Sequence, residues 1–157
     1  MKRITRERPN IDRLACPWLI QRFVDHDAKF LYVPAKDVLS IAAATCAIRY
    51  DIPGVELTHD GPLSSFDAFL NKYALNDPAL QHLAEIVRAA DTDMLEKSVQ
   101  APGLLAITLG LAANITDDHA LLTQALVIYD ALYTWCRSLT QERHGWHPEP
   151  IPTGGKP

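Results

Sequence analysis

The chain lacks most of the features that tie a sequence to a ready-made function. Its three cysteines, Cys16, Cys46 and Cys136, stand singly with no C-x-x-C pair. Such spacing gives no disulfide framework and suits a reducing compartment. No stretch reaches the ~20 consecutive apolar residues needed to span a bilayer. The opening M-K-R-I-T-R-E-R carries charge without an apolar core behind it, so it is not a signal peptide. Positive charge is not in excess either. A net charge of −4 and a pI near 5.8 argue against direct nucleic-acid binding. A phosphate-binding glycine loop, a nucleophile elbow, an H-E-x-x-H pair and internal repeats are all missing. These absences point to a soluble cytoplasmic protein with no membrane contact. Any chemistry must come from residues far apart in the chain.

What is present is ordinary globular material: 157 residues, 48% apolar and 22% charged, enough for one core. The spacing predicts a single domain over residues 1–140 and a Pro/Gly-rich tail over residues 141–157. Within the domain, 3.6-residue stripes outnumber alternating runs. The expected fold is therefore α+β and mainly α-helical, with about six helices packed with a small three-stranded sheet. The strands are read at residues 29–33, 47–51 and 55–59, and the basic residues 1–10 as a solvated arm or a short edge strand. Helices are expected at 11–25, 35–44, from 65, from 78, at 102–113 and from 116. Of these, 102–113 is apolar on nearly every side and so predicted to be central to the core. Ser64 or Ser65 and Thr116 are expected caps, and Asn76-Asp77-Pro78 gives both cap and first-turn proline for the helix from 78. Pro17 either starts the first helix or bends it.

Several polar residues sit where apolar ones are expected. On the first helix Asp12 shares a stripe with Cys16, Leu19, Ile20 and Phe23, and Arg22 shares one with Ile11, Ala15 and Trp18. Burying either charge unpaired costs several kcal/mol, so each requires a partner. His59 extends the row Val55–Leu57 as a rim ligand or as a satisfied structural histidine. Asp91 continues the stripe Leu80, Leu83, Ala84 and Val87 of the helix from 78, or belongs to a C-terminal turn with Asp93 bonding local backbone amides. Asp118 stands one turn before Leu122, or serves the helix dipole. One imidazole with two or three carboxylates suits a divalent ion such as zinc, iron or manganese. Its candidate ligands are His59, Asp91, Asp118 and Asp12. Arg6, Arg8, Arg13 and Arg22 are the candidate oxyanion-binding groups, because a guanidinium binds oxyanions in a fixed fork. Cys16, on the Asp12 stripe, is a further candidate.

Five blocks of the sequence resemble a known family: R-E-R-P-N-I-D-R-L-A-C-P-W-L-I-Q-R-F-V-D, D-I-P-G-V-E-L-T-H-D-G, S-F-D-A-F-L, I-V-R-A-A-D-T-D and D-A-L-Y-T-W-C-R. In this order, over residues 6–137, they resemble the C-terminal domain of the chromate-resistance B family. The resemblance implies a cytoplasmic domain for chromate resistance or sensing, binding chromate or a divalent metal ion in a regulatory role. A metal-dependent enzyme, a reductase or hydrolase using a His/Asp-bound ion, is the alternative. In longer members this domain follows a DNA-binding half. The chain begins at the signature, so a separate regulatory protein or a homodimer is the expected partner. It departs from relatives at Ser64, where cysteine is frequent, and at Arg88, where related branches carry histidine.

Overall fold

Residues Lys2–Arg6 form the middle of a parallel sheet, not a solvated arm. In the computed structural model, which describes residues 1–147, β1 (Lys2–Arg6) pairs with β2 (Lys29–Val33) on one side and β3 (Ile48–Arg49) on the other. Ile4 faces Leu31 across one ladder and Arg49 across the other. Side chains alternate along a strand, so Ile4 enters one layer and Arg3 and Thr5 the other, and all three are buried. Pairing on both edges is what buries a segment this polar.

The sheet separates two cores. Ile4 meets Val38, Ala42, Ala47 and Ile52 beneath α2 (Val38–Thr45). The opposite face, through Phe30 and Tyr50, joins the main core built by α1 (Ile11–Phe23), α3 (Ser65–Lys72), α4 (Pro78–Asp91), α5 (Ala101–Asn114) and α6 (Asp118–Ser138). The result is a mainly helical α+β domain with six α-helices among the described residues. Residues 148–157 of the expected tail lie outside the described residues.

Pro17 lies inside α1 without ending it. Proline has no N–H for the Arg13 carbonyl four residues back. The Tyr32 hydroxyl of β2 donates to that carbonyl at 2.9 Å instead. Three other expectations are corrected. Residues 55–59 form no strand and do not join the sheet. Left-handed Asp51 (φ 48°) and Gly54 (φ 79°) turn the chain away, and the Asp51 N–H bonds Leu57 O across the turn. The cap of α6 is Asp117, which accepts the Ala120 N–H, not Thr116. Finally, α5 is peripheral. Only Ala101, Leu104 and Thr108 are buried, while Ile107 and Leu109 are about half exposed. A helix without charges has no phase in its sequence, and here α4 and α6 choose the buried side.

The strand order 2-1-3 matters for function. From β1 the chain crosses through α1 to β2, then back through α2 to β3 on the far side. The connections diverge at the carboxyl ends of β1 and β3, where open α/β sheets place their ligands. Arg6 ends β1, Asp12 lies in the first turn of α1, and Asp51 follows β3.

Candidate cation site

Four residues from three segments converge at that point. The loop after β3 carries Asp51 and His59, the first turn of α1 carries Asp12, and the last residue of α4 is Asp91. His59 Nε2 lies 2.9 Å from Asp91 Oδ2, 3.4 Å from Asp12 Oδ2 and 3.5 Å from Asp51 Oδ1. One ligand atom from each of Asp12, His59 and Asp91 fits within a 4.8 Å span. Four ligands at about 2.1 Å from a tetrahedral ion sit about 3.4 Å apart. The set is therefore spaced for an ion with little rearrangement.

Local structure fixes each group. Asp91 is a carboxylate at the negative end of α4, an unfavourable place on its own helix. It is held there by α1, whose Asp12 N–H donates to Asp91 Oδ1 at 3.2 Å. Asp12 Oδ2 accepts the Ser65 N–H at the start of α3 (2.5 Å), and Asp51 Oδ1 accepts the Ser65 hydroxyl (2.8 Å). Ser64 caps α3 with Asp67, and Arg88 grips Asp67 through Nε (2.9 Å) and Nη2 (2.7 Å). Ser64 and Arg88 are thus braces behind the site.

The electrostatics are unusual for a plain ion-pair network. Burial, then the charges of Asp91 and Asp51, pushes the Asp12 carboxyl well above its ordinary range, against the pull of Ser65. Burial also raises Asp91, with Asp51 adding, while the Asp12 N–H, His59 and Arg13 oppose. Asp12 Oδ1 is sealed from solvent and has no hydrogen-bond donor. Such an orphan costs roughly 1–3 kcal/mol or more for a charged group. Only His59, with 38% of its side chain exposed, opens the site outward; Asp12 is at 1% and Asp91 at 16%.

The other candidate residues divide. Arg6 and Arg13 border the cluster: Arg6 Nη2 lies 3.4 Å and Arg13 Nε 3.3 Å from Asp51 Oδ2. Arg8 does not join it, since its guanidinium donates to the carbonyls of Ala112, Ile115 and Thr116 behind α5. Asp118 is apart as well: its Oδ2 accepts the Arg8 N–H at 3.0 Å. Arg22 lies ten residues beyond Asp12 on a continuous helix, about 15 Å along its axis. Its partner is Asp130, which it holds through Nε (2.9 Å) and Nη2 (2.8 Å) while Trp18 Nε1 donates to the same carboxylate at 2.7 Å. Cys16 is fully buried one turn below Asp12. Burial and then the carboxylates Asp12, Asp51, Asp91 and Asp67 raise its thiol, so it stays protonated and makes a poor ligand. As site residues, Asp51 and Ser65 are absent from the sequence reading, which names Ser65 only as an alternative cap. Their only signals were an acid two residues before a Pro-Gly turn and a second serine beside the cap.

Comparison with known proteins follows the same span. The family model described as "ChrB, C-terminal domain" matches residues 3–136. Protein ChrB of Cupriavidus metallidurans is 33% identical over 131 residues, which are 83% of this chain and 39% of that protein. The chain therefore spans about two fifths of the length of this curated relative. No solved structure matches it.

Proposed function

The chain belongs to the ChrB C-terminal domain family, and from that premise we propose that it is a chromate-response domain binding one divalent metal ion between Asp12, His59 and Asp91. The carrying observation is Asp12 Oδ1, a buried acceptor with no donor, inside a cluster whose other members already sit at ligand spacing. Without a cation, three carboxylates crowd one imidazole. A metal ion relieves that crowding and gives the buried, under-coordinated Asp12 carboxylate a counter-charge. Imidazole mixed with carboxylate oxygens suits manganese, iron or zinc. Binding requires deprotonated ligands, so it releases the protons that burial favours on Asp12 and Asp91.

On this reading the domain works in the cytoplasm without touching nucleic acid, and reports through another polypeptide or a second copy of itself. Among the described residues, no helix is long and apolar enough to cross a membrane. The test is metal analysis and titration calorimetry on untagged protein with manganese, zinc and iron(II). One ion per chain is expected, and binding is lost in His59→Ala and Asp91→Asn. Undiminished stoichiometric binding in both variants would end the proposal.

One observation favours the enzyme reading as a second: the exposed side of His59 leaves an ion there open to water. Hydrolysis of an activated ester, or consumption of a reductant, by the loaded protein but not by Asp12→Asn would support it.

A further inference from the structure

Charge counting around the cluster leads one step further. Asp12, Asp51 and Asp91 face two guanidiniums, Arg6 and Arg13, and the imidazole of His59. With His59 neutral and all three acids ionised, the five charged groups sum to one negative charge. That balance does not attract an anion. With a divalent ion held by Asp12, His59 and Asp91, whose carboxylates bind it ionised, the same groups carry one net positive charge.

We propose that the site takes its ligands in order: a divalent cation first, then a small tetrahedral oxyanion held by Arg6 and Arg13 beside the ion. This rests on the cation reading above. Geometry supports the two arginines as the anion's holders. Arg13 is preset: its Nη1 donates to Glu7 O at 3.1 Å while Nε faces Asp51. Arg6 contacts Asp51 through Nη2 only. Its Nε is buried with no acceptor, and the side chain is 39% exposed, so it has donors to offer and a route to solvent. The other well-placed guanidiniums are engaged. Arg22 is with Asp130, Arg88 with Asp67 and Arg8 with the end of α5.

The order follows from what each ligand meets. In the ion-free site a dianion meets three carboxylate side chains and competes with Asp51 for the same forks. Once Asp12, His59 and Asp91 hold the cation, the charge beside the forks is positive, and the guanidinium N–H groups that Asp51 does not occupy are free to meet an anion. Tetrahedral dianions should bind better than a planar monoanion, since two guanidiniums approach from different directions.

The experiment is calorimetric titration of sulfate, phosphate and nitrate into the full chain, with and without saturating manganese. With manganese, sulfate and phosphate are expected to bind at least about tenfold more tightly than nitrate. Without it, none should bind measurably. Arg6→Gln should keep or tighten manganese binding and lose about tenfold or more in sulfate affinity. Its retained manganese binding shows that the variant is folded. Sulfate binding that ignores manganese overturns the ordered scheme, as does sulfate affinity unchanged in Arg6→Gln. Failure of wild-type protein to bind manganese, zinc or iron(II) removes the cation reading itself. Manganese binding without any sulfate uptake removes only the oxyanion step.

Discussion

Asp91 Oδ1 accepts the backbone N–H of Asp12, so the last residue of α4 caps the first turn of α1. That one bond brings together two carboxylates 79 residues apart. It also explains why an acid is tolerated at the negative end of a helix: what α4 disfavours, the positive end of α1 favours. The proximity of the two acids then has consequences that can be measured.

The first concerns stability against pH. Burial raises the Asp12 and Asp91 carboxyls in the fold, so protonation favours the folded state. That contribution is full below the unfolded value near ~4 and disappears as pH climbs through the raised folded values. Ion-free Asp12→Asn should therefore melt a few degrees above wild type at pH 7 and lose that advantage near pH 4. Asparagine keeps an acceptor for the Ser65 N–H. Differential scanning calorimetry across this range checks it, and an Asp12→Asn protein less stable at pH 7 would contradict it. The same variant should no longer gain stability from manganese.

Ser65 controls the carboxylates without holding the ion. Its hydroxyl fixes Asp51 Oδ1, and its N–H fixes Asp12 Oδ2. Ser65→Ala should weaken divalent-ion affinity about 10- to 100-fold, as loss of outer partners does at metal centres. Ser65→Thr should restore most of it. Titration calorimetry of the two variants is the measurement, with unchanged affinity in Ser65→Ala as the contrary result.

Arg22 serves the core rather than the site. Asp130→Ala strands its guanidinium and leaves Trp18 Nε1, on a fully buried ring, without an acceptor. A stability loss of about 2 kcal/mol is expected. Chemical denaturation reads the loss, and divalent-ion affinity should stay within about twofold of wild type.

The exposed face of α5 gives a contrast pair. Leu109→Gln, at a half-exposed position, should stay within about 0.5 kcal/mol of wild type. Leu104→Ala, five residues earlier and 3% exposed, should cost about 2–5 kcal/mol. Equal losses in the two denaturation curves would place α5 inside the core, as its composition alone implies.

These comparisons show which physical signals survive in a sequence. Amphipathic helices with acid or serine caps, such as 65–72 and 78–91, announce themselves through period and capping chemistry. The 29–33 strand does so through its β-branched and aromatic run. The Asp12, His59 and Asp91 positions were legible because each interrupts an apolar row. Their mutual distances were not, since they are set by sheet order and by one side chain capping another helix. β1 was misread because being hydrogen-bonded on both edges is a property of neighbours. Residues 55–59 misled for a different reason: they alternate well, but the turn at Asp51 and Gly54 carries them away from the sheet.

That first strand has a consequence for how the domain comes into being. β2 and β3 never touch; every hydrogen bond of the sheet runs through β1. Both pairings are parallel, so neither is a hairpin that closes locally, and Lys2 waits for Lys29, then Arg3 for Ile48. During synthesis the central strand is thus made first and completed last. Trimming it away would leave two short strands with nothing to join, and would remove Arg6 from beside Asp51.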